Sequence, residues 1–194
     1  MNKAALNEKT QHLISSLEIV YDLKTIPRSG WIQSGIQPGN VESIASHSYG
    51  MSILILFLRS RLHAAGIDVE RAINMALVHD LAEAITGDYT PVDGISSADK
   101  HAEESSAFEN ITNQIQEKEY LCELWNEFES GETQEARLVK RIDKLDMLVQ
   151  AYLYEKKYSV NLDSFWENMD ELFLASESES IYNYLRKNRF QGKG

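Results

Sequence analysis

Hydrophobic positions recur at helical spacing along most of the chain. Between Asn7 and Leu23, the residues Leu13, Ile14, Leu17 and Val20 mark one apolar face of a helix. Glycine and proline then cluster from Thr25 to Asn40 and predict a loop. Val41 to Ala65 reads as a long helix, apolar at Ile44, Met51, Ile53, Leu54, Ile55, Phe57, Leu58 and Leu62, with Ser43 or Asn40 capping its start. Gly66 ends that helix and Asp68 caps the next, which runs apolar from Val69 through Val78 into His79 and Asp80 and stops at Gly87. Asp88 to Gly94 is turn-rich. Ser97 to Phe128 is again helical in pattern, with the charged run Asp99 to Glu104 expected on its solvated side. Gly131 breaks it. Thr133 caps a helix to Lys157, which turns Ala136, Val139, Ile142, Leu145, Leu148 and Val149 inward. Asn161 to Leu174 and Ser180 to Arg189 predict two shorter helices joined by an acidic surface turn.

Sustained alternation of apolar and polar residues between hairpin turns is absent, so a sheet is not expected. Nor is there a repeat or a linker long enough to divide the chain. The prediction is one all-α domain over residues 1–194.

Composition narrows the partners. A net charge of -11 argues against a general nucleic-acid or anionic-membrane binder, yet a local cation or a metal can reverse the sign of one pocket. The single cysteine, Cys122, permits no intrachain disulfide and reads as core packing. The N-terminus has no long apolar region, and the run Ile53 to Leu58 is far too short to span a membrane. These features predict a cytoplasmic protein.

Candidate chemistry concentrates in His79-Asp80-Leu81-Ala82-Glu83-Ala84-Ile85-Thr86-Gly87-Asp88. An ionisable pair at the inner end of an apolar helix is costly unless it is paired or coordinated, and a metal ion supplies that compensation. Helix packing allows His47 and Asp143 to join His79 and Asp80. Two imidazoles and two carboxylates form a borderline-hard set suited to Mn, Fe, Co, Mg or Zn. Neighbours in a helix point about 100° apart, so His79 and Asp80 reach one ion only if it lies beside their helix. Glu83, one turn beyond His79, falls next to that ion, where it can orient or deprotonate a water. Asp88 stands at the mouth of the same pocket. In the preceding loop, Arg28 suits phosphate and Trp31 suits a base or sugar face. Each of these residues alone has a plainer reading. His47 would be structural, Glu83 a surface charge, Asp88 a turn former, and Arg28 a surface arginine beside a core tryptophan.

Taken together, the residues carry more. His47, His79-Asp80 and Asp143 follow the H…HD…D pattern of the HD-domain metal-dependent phosphohydrolases. Pro27-Arg28-Ser29-Gly30-Trp31, Glu42-Ser43-Ile44-Ala45-Ser46-His47-Ser48-Tyr49, the stretch from His79 to Pro91, and Asp143-Lys144-Leu145-Asp146-Met147 resemble the HD-domain 5'-deoxynucleotidases. The resemblance runs from about Ile14 to Glu155, with the helices of 161–189 following it. The sequence departs from the pattern at Ser29, where threonine is expected, and at Ala98-Asp99-Lys100, where two acidic residues are expected before the lysine.

This resemblance implies hydrolysis of deoxynucleoside 5'-monophosphates to nucleoside and phosphate. It implies that His47, His79, Asp80 and Asp143 hold one divalent cation, that Glu83 and Asp88 are catalytic beside it, and that Arg28 and Trp31 bind substrate. It also implies a homodimer. Two other readings stay open: an HD-superfamily hydrolase acting on cyclic, triphosphate or signalling nucleotides, and a non-catalytic nucleotide-binding regulator.

Overall fold

A computed structural model describes residues 3–189, with side chains from Asn7 onward. The outermost residues of the predicted 1–194 domain lie outside this range. The helices are α1 (Lys3–Tyr21), α2 (Ser29–Gln33), α3 (Ile44–Ala64), α4 (Val69–Val78), α5 (Glu83–Thr86), α6 (Ser97–Thr112), α7 (Lys118–Ser130), α8 (Gln134–Tyr158), α9 (Asp163–Trp166), α10 (Asp170–Phe173) and α11 (Glu179–Asn188). Among the described residues the only β-type pairing is an isolated antiparallel bridge between Pro27 and Ser43. The all-α expectation holds.

Local chemistry sets most of the boundaries. Ser43, Asp68 and Thr133 each accept the backbone N–H three residues ahead, capping α3, α4 and α8. Gly131 takes a left-handed conformation to close α7. The centre of the fold is the mutual packing of α3, α4 and α8. Met51, Ile55 and Leu62 of α3 meet Ala72, Met75 and Ala76 of α4 and Val139, Ile142, Leu145 and Leu148 of α8, all essentially buried. Burying each large aliphatic side chain here contributes roughly 1.5–3 kcal/mol. A smaller cluster of Ala82, Ala107, Phe108 and Trp125 joins α6 and α7 to the stretch after α4.

The predicted loop of 25–40 contains the short helix α2, and four further revisions concern the helices the sequence predicts. The predicted long helix of 97–128 is two helices, broken at 113–117. The stretch 161–174 is likewise divided into the single-turn α9 and α10 around Glu167 to Met169, where Asn168 has positive φ. The apolar stripe of α1 is only half covered, with Leu13 at 47% and Ile14 at 49% exposure. The fourth revision shapes the site: α4 ends at Val78, and the backbone then tightens. Leu81 bonds back to Val78, Glu83 to Asp80, Ala84 to Leu81 and Ile85 to Ala82, each spanning three residues instead of four.

The C-terminal segment is tied down by charge. Arg189 reaches the fully buried Glu155 of α8 and Asp163 of α9, and its guanidinium lies 4.7 Å over the ring of Trp166. Between α10 and α11, Ser178 is fully buried, and Glu177 pairs with Arg141 at 3.0 Å. The acidic link is thus less of a surface turn than its composition predicts.

Candidate metal centre

Each of the three mutually packed helices delivers part of one cluster. His47 ends the first turn of α3, His79 caps the C-terminus of α4 with Asp80 following, and Asp143 sits in the middle of α8. Ligand atoms of His47, His79 and Asp80 all lie within 4.8 Å of one another. His79 Nε2 is 3.0 Å and His47 Nε2 is 4.0 Å from Asp80 Oδ2. Asp143 stands beside this trio, its Oδ1 3.2 Å from His47 Nε2. The tightening after Val78 is what lets the adjacent His79 and Asp80 converge instead of splaying as they would on a regular helix.

The two imidazoles are arranged alike. His79 Nδ1 is 2.8 Å from the Ala76 carbonyl, and His47 Nδ1 is 2.8 Å from Asp146 Oδ2. An Nδ1–H donated to each acceptor leaves Nε2 as the coordinating atom. Both Nε2 atoms are buried and make no hydrogen bond. Buried polar atoms of native proteins are nearly always satisfied, so two orphans aimed at the same carboxylates fit a cation between them. The donor set meets this test.

Charge follows from the crowding. Burial disfavours the His47 imidazolium, but Asp143 and Asp146 outweigh it and push its pKa up to about 10. A proton therefore competes with any cation for His47. Burial works against the charged form of Asp80 as well, yet His79, Arg28 and His47 hold its pKa well below the usual carboxylate range. Asp143 is likewise held low by His47 and Lys144 against its burial. Glu83 goes the other way. Burial first, and then the charge of Asp80, push it up to about 10, and its Oε2 has no hydrogen-bond partner.

Arg28 closes the cluster on the open side. Its Nη1 lies 3.3 Å from Asp80, 3.2 Å from Asp88 and 3.9 Å from Glu83. Those carboxylates keep it charged despite burial. Asp88 also accepts the backbone N–H of Ser29, so it is anchored at both oxygens. Arg28, His79, Asp80, Glu83, Asp88 and Asp143 line a cleft of about 640 Å³, and His47 is buried beneath them.

Trp31 is placed differently from Arg28. It is 2% exposed, its indole N–H donates to Glu42 at 2.9 Å, and Phe165 stacks on it with ring centres 4.4 Å apart. Its neighbour Phe165, from α9, is the more exposed of the two rings lining the cleft. The structure therefore brings together His47, His79, Asp80, Asp143, Glu83, Asp88 and Arg28, with Trp31, almost fully buried, in the wall of the same cleft beside Phe165.

Four further residues, Asp146, Lys100, Lys144 and Phe165, belong to the site or its cleft without a role that the sequence pattern predicts. Asp146 had a signal, because it stands one turn from Asp143 on the same face of α8. Lys100 belongs to the run expected on the solvated side, but it lines the cleft and pairs with Glu104 at 3.3 Å. Phe165 had no local signal, since only tertiary packing carries α9 to the cleft.

A family model described as HD domain matches residues 20–181. The chain is 39% identical over 161 residues to a 5'-deoxynucleotidase of Schizosaccharomyces pombe, covering 80% of this chain and 78% of that protein. It is 37% identical over 181 residues to the 5'-deoxynucleotidase HDDC2 of Mus musculus, covering 91% and 88%. Among solved structures, a conserved hypothetical protein from Pyrococcus furiosus superposes with a TM-score of 0.76 at 34% identity, covering 90% of this chain and 99% of that one.

Proposed function

The chain belongs to the HD domain family, and on that premise we propose that it is a metal-dependent 5'-deoxynucleotidase releasing phosphate from deoxynucleoside 5'-monophosphates. The observation that carries the reading is the pair of buried Nε2 atoms of His47 and His79, which make no hydrogen bond and face the carboxylates of Asp80 and Asp143 beneath Arg28.

The ligands in this reading are His47, His79, Asp80 and Asp143. A divalent cation held there supplies Lewis acidity toward a phosphoryl oxygen and lowers the pKa of bound water. The remaining steps fall to the chain's own groups. Glu83 orients the attacking water; a cation beside Asp80 would offset the charge that, with burial, keeps this carboxyl protonated, so that it can take the water's proton and return it to the departing 5'-oxygen. Arg28 turns its guanidinium to the phosphate. Without a cation it is shared among Asp80, Asp88 and Glu83, so extra positive charge is what frees it for an anion. Asp88, held by Arg28 and the Ser29 N–H, serves as a fixed acceptor for a sugar hydroxyl. Lys144 and Lys100 add cationic charge around a phosphate dianion. Phosphoryl transfer needs chiefly such positioning and charge stabilisation, so no covalent nucleophile is required. Trp31 lines the cleft beside Phe165, its indole fixing the plane of that ring at the sugar side.

The reading carries a homodimer and a cytoplasmic location with it. Tyr49 and Leu56, two turns apart on α3, with Phe57 at 84% exposure beside them, support self-association. No described helix is long and apolar enough to cross a membrane.

The test is phosphate release from metal-stripped protein resupplied with Mn, Co, Mg, Fe or Zn. Ribo- and deoxynucleoside mono-, di- and triphosphates and cyclic nucleotides would all be offered. Monophosphates are expected to turn over, deoxy forms foremost. Preferential turnover of cyclic or triphosphate substrates would assign the site to another nucleotide hydrolysis, and binding without release would make the chain a regulator.

A further inference from the structure

The imidazole of His47 is gripped from both sides by one helix. Asp143 and Asp146 lie one turn apart on α8, and their carboxylates straddle the ring. Asp143 Oδ1 is 3.2 Å from Nε2, and Asp146 Oδ2 is 2.8 Å from Nδ1. His47 is 1% exposed and Asp146 7%. The two carboxylates face opposite edges of the ring, so they cannot do the same job. One shares the edge that faces His79 and Asp80, and the other holds the edge that faces away.

What admits Asp146 is a gap in α3. Gly50 lies one turn beyond His47, and a Cβ built on it would stand 2.3 Å from Asp146 Oδ1 and 3.0 Å from its Cγ. No side chain tolerates that approach, and the contact is with a carboxylate held in place by its bond to His47. Glycine in the interior of a helix is unfavourable by roughly 0.5–1 kcal/mol relative to alanine. The close approach of α8 accounts for its presence here.

We infer that Asp146 is a positioning residue for the metal centre: it accepts the Nδ1–H of His47 and so fixes the tautomer and ring plane that present Nε2 to the cation, and Gly50 is the space it needs. The inference rests on the metal-centre reading but not on the identity of the substrate. A carboxylate behind a ligating histidine orients the ring and raises its basicity, and its loss typically weakens metal binding about 10- to 100-fold. Glu42 and Asp146 also approach His47 closely enough to suggest a second cation on the Nδ1 side. The hydrogen bonds argue otherwise: Nδ1 is engaged by Asp146, and Glu42 accepts from Trp31.

The experiment is a Co²⁺ titration by calorimetry on metal-stripped full-length protein, comparing wild type with Asp146→Ala, Asp146→Asn, Gly50→Ala and the double variant Gly50→Ala/Asp146→Ala. Asp146→Ala is expected to weaken Co²⁺ binding about 10- to 100-fold at unchanged stoichiometry. Asp146→Asn, which keeps an acceptor oxygen of the same shape, should recover most of that loss. Gly50→Ala should weaken binding comparably, and the double variant should bind no worse than Asp146→Ala, because removing the carboxylate removes the collision. In the Zn²⁺-loaded protein, the downfield His47 Nδ1–H proton resonance should persist in wild type and vanish in Asp146→Ala. Wild-type affinity in Asp146→Ala with that resonance intact would overturn the inference, as would loss of one whole cation equivalent, which would make Asp146 a ligand. Fully additive losses in the double variant would separate Gly50 from Asp146. Absence of Co²⁺ and Zn²⁺ binding by the wild type would instead defeat the metal-centre reading itself. If Asp146→Ala fails to fold, the Asn and Gly50 variants decide the matter.

Discussion

The two ends of the cleft are built on different principles. At the floor, His47, His79, Asp80 and Asp143 come from α3, α4 and α8, whose apolar faces form the buried centre of the molecule. Their positions are set by tight packing, which yields little to local change. At the mouth, Arg28, Asp88, Tyr89, Lys100 and Phe165 come from loops, helix starts and a single-turn helix. Their positions depend on individual bonds, such as the Ser29 N–H to Asp88 and the stacking of Phe165 on Trp31. The contrast teaches a division of labour. On the proposed function, the chemistry requiring sub-ångström placement falls to the rigid packing of α3, α4 and α8, and the recognition of a substrate to elements that can differ without disturbing it.

The largest expected break in this comparison is at the floor. Asp80→Ala should lower phosphatase kcat by at least ~10³-fold and abolish stoichiometric metal binding, with helical content by circular dichroism unchanged. Retained turnover with added metal would remove Asp80 from the site. Next comes Glu83→Gln, expected to cost about 10²- to 10³-fold in kcat while the metal still binds at full stoichiometry. Metal loss in that variant would turn a proton carrier into a ligand.

A pH series sharpens the picture of the floor. The His47 pKa is raised to about 10 in the folded, metal-free protein, above its ordinary value near 6.5. Its contribution to stability is therefore complete below about pH 6.5 and lost as pH rises through about 10. The same proton must leave when a cation binds. Apparent metal affinity should thus climb up to about tenfold per pH unit between pH 7 and 9, with measurable proton release in calorimetry. A flat profile would show that no proton competes at Nε2. The smallest effect belongs to the mouth. Phe165→Ala should raise KM about 5- to 10-fold and leave kcat and metal affinity nearly unchanged, the lower end of the ~1–3 kcal/mol that a base stacked on an aromatic ring is worth. An equal fall in kcat would show that the mouth helps set the floor.

Legibility followed the same division. The capped helices α3, α4 and α8 announce themselves by helical spacing, and His79, Asp80 and Asp143 stand at defined positions on them. Their convergence was foreseeable because helices of that length and apolar face must pack together. The tight turns after Val78 were not, since the residues His79 to Ala82 carry no glycine or proline and read as uninterrupted helix. The charged run around Lys100 predicts solvent exposure, and no periodicity reveals that α6 begins at the edge of a cleft. Phe165 reaches the site through contacts distant in sequence, which a single chain read linearly does not encode in any local pattern.

The clasp at Arg189 gives the mouth an unexpected dependence on the far tail. That guanidinium is the counter-charge for Glu155, a carboxylate with no exposure, and it also tethers the turn that bears Phe165. Trimming the protein just short of this residue would strand an anion in an apolar interior and loosen an aromatic wall more than twenty positions upstream. A shortening chosen merely to aid crystallisation would therefore register as lost stability and, through the loosened wall, as altered substrate preference.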